Sequence, residues 1–357
     1  MSNIIEFGNK IAFHPGYYIR EYIDELGMTQ EEFAMRLGTT PKNISCIIRG
    51  EQSLSLEIAT KLSRLMGTSV KYWLNLQSEF DSLCVESELE QEIKKEAEVF
   101  KLLDYSYFQK NFGLPPLPRK TNEQIIKVRE FLGVSSLTNF LKRDLEVNFR
   151  TANLEITDSN IIKANIMVHI ATNMALEMKD TPKYDRKQFL KAIDYALTLT
   201  RNYDDFYEAI KDEFYKCGVN LILIPNMAGS KVNGAAKKIG NKMLLMIDDR
   251  NCNSDSFWFT LLHEIGHIVK GDYGISYLDD VEDEANKYAE DKLIDPIKYR
   301  EFVLKRKFDV VSICEFAKQI KRDPGIVVGR LQNDSYLDFK DYRYNSLKKK
   351  FSILFNK

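Results

Sequence analysis

The stretch TQEEFAMRLGTTPKNISCIIRG, Thr29 to Gly50, carries helix starts and stops whose offsets specify two short helices joined by a tight turn. Thr29 with Glu32 three residues on makes a capping box, Phe33, Ala34 and Leu37 give an inward face, and Gly38 supplies a left-handed stop. Thr40 then caps a second helix with Pro41 at its first position. Ile44, Ile47 and Ile48 form the buried stripe of that helix, and Gly50 ends it. With the isoleucines inside, the early and outward residues Thr40, Lys42, Asn43, Cys46 and Arg49 are free to meet a major groove. There lysine reads guanine acceptors and asparagine pairs with adenine, while Gln30 at the start of the first helix holds a phosphate. An ordinary helical hairpin would show the same cues. Residues 1–80 hold eight Lys and Arg against nine Asp and Glu, so the region has no basic field of its own.

Working outward, the segment from His14 to Gln77 resembles the XRE-type helix-turn-helix repressors, and within them the antitoxin branch of host-inhibition-of-growth toxin–antitoxin modules. The opening His14-Pro15-Gly16 and the closing YWLNLQ, Tyr72 to Gln77, carry the resemblance to that branch. It implies double-stranded operator DNA as a partner, and readers of this kind bind paired half-sites as homodimers. His14 is read as structural, because no second ligand lies near it in sequence.

A second constellation lies in SFWFTLLHEIGHIVKG, Ser256 to Gly271, which reads as one helix starting at the capping-type residues Asp255 and Ser256 and stopped by Gly271. His263 and His267, at i and i+4, project from one face and can share a tetrahedral Zn²⁺, with Glu264 placed beside the water at that metal. Zinc lowers the pKa of its water to about 7, and Glu264 is the general base that takes the proton. The alternative is a chance histidine pair on a core helix. The third ligand is sought in LDDVEDEANKYAEDKLIDP. At about 100° per residue, Val281, Ala285, Tyr288, Ala289 and Leu293 define an inward stripe, Glu282 falls on that face, and Asp283 and Glu284 fall outside it. Glu282 is therefore the expected third ligand, unless it only flanks the core. Asn286, on the same side, is the expected outer partner of His263 or His267.

This half resembles the ImmA/IrrE metallopeptidases, whose HExxH followed by Glu-x-x-Ala-Asn-x-aromatic-Ala is met by His263–His267 and Glu282–Ala289. The resemblance spans roughly Val219 to Leu331 and takes in PGIVVGRLQ, Pro324 to Gln332. It implies a zinc-dependent endopeptidase acting on repressors of the helix-turn-helix kind. Tyr273 and Tyr277 are weak guesses for an oxyanion-stabilising group and read better as packing. Lys231–Ile239, KVNGAAKKI, is expected to form a polar edge strand on which an extended substrate could pair.

The 357 residues suffice for two or three domains with proper cores. A net charge of -1 excludes a whole-molecule field for nucleic acid or membrane. No apolar run approaches 18 residues and no signal-peptide pattern opens the chain, so a cytoplasmic protein with no membrane partner is expected. The five cysteines, never in a Cys-x-x-Cys pair, read as reduced and mostly buried thiols. The expected fold is mainly α with a small antiparallel β-sheet. It has an all-helical helix-turn-helix domain at 1–80, a connector with the Pro-rich elbow Asn111–Thr121 at 81–122, and a helical middle region at 123–216. An α+β zincin-like metallopeptidase domain follows at 217–335, then a basic aromatic tail at 336–357. The strands of that domain are VNLILIP and KMLLMID, and Asp323-Pro324 starts a late helix. Two functions follow. One is a DNA-binding transcriptional regulator whose zinc endopeptidase cleaves a protein partner or the chain itself. The other is a non-proteolytic, antitoxin-like repressor whose peptidase fold senses a signal or binds a toxin.

Overall fold

The computed structural model describes residues 3–141, 148–149, 157–250, 253–277 and 283–350, and the chain divides between Glu96 and Ala97 into two compact units. The first opens with an antiparallel hairpin, β1 (Ile4–Phe7) and β2 (Lys10–Phe13), in a stretch read from sequence as helical. Gly8 and Asn9 close it in two residues with Gly8 at φ 60°, the positive-φ chemistry such turns require. Five helices follow: α1 (Pro15–Glu25), α2 (Gln30–Leu37), α3 (Pro41–Ile48), α4 (Leu56–Met66) and α5 (Val70–Phe100). Their apolar faces meet in one core around Phe33, Ile44, Ile47, Leu62 and Trp73. The predicted stop at Gly38 (φ 69°), the Thr40 cap and the Pro41 start all stand. The capping box forms only by half: Thr29 Oγ1 accepts from Glu32 N, but the Glu32 carboxylate turns forward to Arg36, 2.6 Å away, where an ion pair competes for it.

The His-Pro-Gly sequence resolves into three separate jobs. His14 caps α1, its Nδ1 accepting from Gly16 N at 3.0 Å, and its buried ring stands edge-on to Phe80. Pro15 fills the first helical position, where no donor is needed. Gly16 lies against the end of α3 so closely that a Cβ there would sit 2.0 Å from Ile47 O. The closing motif is equally structural. Trp73 Nε1 donates to Thr68 Oγ1 at 2.7 Å, and buried Gln77 ties the loop before α4, its Oε1 accepting from Leu54 N at 2.8 Å.

Burial holds the His14 imidazole below its ordinary pKa, with the Asp81 charge opposing the shift. The unfolded chain therefore takes up a proton near pH 6.5 that the folded chain refuses, so stability is full above that pH and declines as pH falls. Amide-exchange protection of α1 and α3 is expected to drop between pH 7.5 and 5.5. His14→Asn, which keeps a cap without the titration, should flatten the profile; an equal drop in that variant would remove His14 as the cause.

The second unit is built on a sheet with both faces covered. Before it come α6 (Tyr105–Phe112), α7 (Thr121–Leu132), the two-residue β3 (Asn148–Phe149), α8 (Asp158–Glu177), α9 (Arg186–Thr198) and α10 (Phe206–Lys216). Then follow β4 (Val219–Ile224), β5 (Val232–Ile239), β6 (Lys242–Asp248), α11 (Ser254–Lys270), β7 (Gly274–Tyr277), α12 (Asp283–Leu293), α13 (Pro296–Leu304), α14 (Val310–Ile320) and α15 (Pro324–Asn333). Side chains alternate in β4 and β6. Val219, Leu221, Leu223, Met243, Leu245 and Ile247 join α9–α11 and the later helices, while Ile222, Ile224, Leu244 and Met246 join α6–α8 and the last turn of α5. Two-sided burial is why these strands read as unbroken apolar runs.

The strand order is β3-β7-β5-β6-β4. The sheet is mixed, not antiparallel as expected: β4 runs parallel to β6 and β3 to β7, while β5 is antiparallel to both of its neighbours. The expected edge strand Lys231–Ile239 is also corrected, because β5 sits inside the sheet. Its polar look comes from Lys237 and Lys238, beyond the stretch paired with β7, while Val232, Ala235 and Ala236 are fully buried. The Pro-rich stretch is an elbow within this unit, fastened by Tyr105 Oη to Pro115 O at 2.8 Å and Gln124 Nε2 to Leu117 O at 2.6 Å. α5 passes uninterrupted through residue 80. Of the four described cysteines, all free, only Cys217 is buried and the others are half-buried.

Candidate functional site

In the first unit α3 presents its outward face as the isoleucine stripe requires: Thr40, Lys42 and Arg49 are exposed, Asn43 and Cys46 half-buried, and Gln30 is exposed at the start of α2. Several of these groups already have intramolecular partners. Thr40 Oγ1 accepts from Asn43 N at 3.2 Å, and Asn43 Nδ2 donates to Thr39 Oγ1 at 2.9 Å, which fixes the amide beside the helix start. Arg49 grips Glu51 through Nε at 2.9 Å and Nη2 at 2.8 Å, and the contact holds the Glu51 carboxyl below its ordinary range. Lys42 is exposed and has no such tie among the described residues. Thr39 and Glu51, which set the posture of Asn43 and Arg49, lay outside the sequence-derived set.

In the second unit α11 is enclosed. Phe257, Trp258, Leu261, Leu262, Ile265 and Ile268 pack into the main core, and His263, Glu264 and His267 are buried on a separate face. The helix begins one residue earlier than Asp255, after Asn253, and ends as expected at Gly271 (φ 78°). Its start is fastened by the chain's tail, Ser254 N donating to Lys349 O at 2.8 Å and Lys348 pairing with Asp255 at 2.5 Å. From the other side α15 approaches through Gly325 and Gly329, where a Cβ would fall 2.4 Å from Ser254 Oγ and 2.7 Å from Asp255 Cβ.

His263 Nε2 and His267 Nε2 face each other 3.2 Å apart. Two imidazole nitrogens bound to one tetrahedral zinc at about 2.0–2.1 Å would be separated by about 3.3 Å, so the pair fits that ion. His263 Nδ1 meets Asn286 Oδ1 at 2.9 Å, which puts the proton on Nδ1 and leaves Nε2 with its lone pair directed at His267. His267 Nδ1 lies 3.7 Å from Asp272 Oδ2. Asp272 was not singled out from sequence, although its place just beyond the helix stop, one turn past His267, is the available signal. Glu264 is wholly buried beneath β5, and a Cβ on Gly234 would come within 2.7 Å of its carboxylate, so the strand can lie over Glu264 only as glycine.

On α12, Ala285, Ala289 and Leu293 are buried as the helical phase requires. Glu284 is exposed and paired with Lys270 at 2.7 Å. Glu282 lies outside the described residues. Among those described, no group of three or more His, Cys, Asp and Glu side chains is arranged to hold a metal. Tyr273, half-buried, packs against the core at this end of α11, and the Tyr277 side chain lies outside the described part of the structure. No helix among the described residues is long and apolar enough to cross a membrane.

Residues 19–73 match the pattern of the helix-turn-helix family HTH_3. Over 71 residues the chain is 41% identical to the uncharacterized HTH-type transcriptional regulator YddM of Escherichia coli K12, a match covering 19% of this chain and 76% of that protein. Similar solved structures include an addiction module antidote protein of a HigA family from Coxiella burnetii, at 27% identity over 23% of this chain and 91% of that one, TM-score 0.22. A Pseudomonas aeruginosa protein in complex with its operator DNA is similar at 26% identity over 23% of this chain and 92% of that one, TM-score 0.22. With residues 19–73 matching the pattern and most of the E. coli regulator's length covered, the chain belongs through its N-terminal unit to the HTH_3 helix-turn-helix family.

Proposed function

We propose that the protein is an operator-binding transcriptional regulator whose second unit is a zinc-dependent endopeptidase, acting on a protein partner or on the chain itself. The similarity to an HTH-type regulator and the outward face of α3 support the first part. The observation that carries the second is the buried face of α11, where two imidazole nitrogens lie 3.2 Å apart with Glu264 beside them under a glycine strand. The zincin-like fold and the ImmA/IrrE kinship implied by the HExxH pattern belong to this proposal, as does zinc. His263 and His267, with Glu282, would hold the ion. Zinc would supply electrophilic polarisation of a peptide carbonyl and acidification of a water.

The residues of the chain supply the rest. Asn286 and, at longer range, Asp272 set the ring orientations of His263 and His267. Glu264 would take the proton of the attacking water and return it to the leaving amine. β5 and α12 both pack against α11, the helix that carries this face.

Glu264→Gln separates binding from chemistry. It conserves volume and leaves the imidazole pair untouched, so zinc content and operator binding should remain while cleavage of the partner falls by roughly 10²–10⁴-fold. Signal-dependent release of repression that survives this substitution would replace the peptidase by the non-proteolytic, antitoxin-like reading. For the DNA contact, Lys42→Ala or Asn43→Ala should weaken operator binding by roughly 1–3 kcal/mol where a base edge is read. Loss confined to a shallower salt dependence in Lys42→Ala would assign that lysine to phosphate. An unchanged footprint in the double variant would take α3 out of the groove.

A further inference from the structure

Beside the head of α11 the helices α11, α12 and α15 enclose a cavity of about 170 Å³, walled mostly by Phe259, Leu293, Ile294, Ile326 and Phe339. Leu293, Ile294 and Ile326 are buried at its inner end, whereas Phe339, 69% exposed, and the exposed Asn333 mark its mouth. Phe259 lines a second cavity as well, of about 190 Å³ on the side of Asn233 and Arg250, and its ring stands 6.2 Å from that of His263. The half-buried ring therefore has open space on two sides and the histidine on another. Charged groups around the first cavity are already matched. Asp255 pairs with Lys348 at 2.5 Å, and Arg330 pairs with Glu290 at 2.7 Å and with Asp334 at 2.9 Å. Burial pushes the Glu290 carboxyl above its ordinary range with Arg330 opposing the shift, as expected where water is scarce.

These features select among ligands. A charged molecule would have to break one of the ion pairs to find a counter-ion, or leave its charge unpaired in poorly hydrated surroundings. An extended peptide would need a free strand edge, and β5 and β6, the strands packed against α11, are each paired on both sides. A neutral apolar body remains. Cavities of about 150 Å³ with Leu, Ile and Phe walls take up benzene, so a volume of about 170 Å³ matches one ring, or a branched chain, of about six to eight heavy atoms. Ser256 and Asn333 in the lining can meet one neutral hydroxyl. We infer that this cavity binds a free, neutral molecule with an apolar body of one ring, and that the bound ligand reports to His263 by filling the open side of Phe259 and pinning its ring. Such a site needs neither zinc nor cleavage, and it would give either reading of the second unit its signal.

The test uses the full-length protein without added metal, with the methyl resonances of Leu293, Ile294 and Ile326 and the ring resonances of His263 followed by NMR. Four probes carry the same phenyl group: benzyl alcohol, benzoate, benzylammonium and N-acetyl-phenylalanine amide. Benzyl alcohol should shift all three methyls and bind about 10-fold or more tighter than the two ions, since burying an unpaired charge is costly. It should also bind more tightly than the blocked amino acid, whose backbone finds no strand edge. Phe339→Ala removes an exposed wall residue without touching the core and should weaken benzyl alcohol several-fold. Phe259→Leu keeps an apolar wall and should retain binding while the His263 shift disappears. Equal binding of the alcohol and the ions, tighter binding of the blocked amino acid, or methyl shifts confined to other parts of the protein would overturn the proposal. Methyl shifts with His263 unmoved would strike the report to His263. A chain ended after Lys350 retains the Lys348 and Lys349 contacts to α11 and should bind alike; benzyl alcohol bound only by that shortened chain would assign the cavity to residues 351–357 instead.

Discussion

His263→Ala and His267→Ala are each expected to lower zinc affinity by more than about 100-fold, since even outer partners of a zinc ligand cost 10–100-fold when changed and these would be the ligands themselves. The parent chain should carry about one zinc per molecule after preparation without chelators. Equilibrium dialysis with elemental analysis on the parent and both variants is the measurement. Neighbouring carboxylates give the internal control. Glu282→Ala should behave like the histidine variants, whereas Glu284→Ala should keep its zinc, because that carboxylate is exposed and engaged by Lys270 at 2.7 Å. A parent chain free of zinc would end the metallopeptidase proposal. Zinc retained in His263→Ala would mean the ion sits elsewhere.

Gly16→Ala is expected to destabilise the N-terminal unit by about 3 kcal/mol or more, the upper range of overpacking effects. The new Cβ would meet Ile47 O at 2.0 Å, Ile47 C at 2.8 Å and Ile48 Cα at 2.9 Å, all main-chain atoms at the end of α3 that cannot rotate away. α1 must lift off α3, and operator affinity should fall with it because α3 loses its seat. Gly67→Ala is the comparison: Gly67 has φ 70° but nothing within 4 Å of a Cβ, so only the left-handed penalty of about 1–2 kcal/mol applies. Denaturation followed through Trp73, together with amide exchange in α1 and α3, separates the two. Similar losses in both variants would show that the close approach at Gly16 is relieved cheaply.

The helix-turn-helix was legible because its signals are local. A cap, a proline, a glycine and an isoleucine stripe each act within four residues, and tertiary packing had only to agree with them. The same holds for α11 and its Gly271 stop. The hairpin β1–β2 was also local, with Gly8 and Asn9 in view, but its strands are half-exposed and offer no strong alternation. Sheet order was not legible. The pairing of β5 with β7 joins residues some forty positions apart, and nothing in GISY distinguishes a strand from a loop until β5 lies beside it. The tie between Asp248 and Arg250, with Asn226 and Ser230 holding the guanidinium, was not legible for a related reason: it is made by the fold at the end of β6, which sequence spacing does not report.

The two units also differ in how far apart in sequence their partners lie. In the first, helices touch helices one or two steps away along the chain, whereas in the second Asn148 pairs with Gly274 and β4 must wait for β6. Local contacts close fast and distant parallel pairings close slowly. On a ribosome adding about 5–20 residues per second, the first unit is complete on the order of ten seconds before Gly274–Tyr277 emerge to finish the sheet. A nascent chain therefore holds a finished helix-turn-helix unit before the face bearing His263 and His267 has been assembled, and the two units reach their working shape at different moments of synthesis.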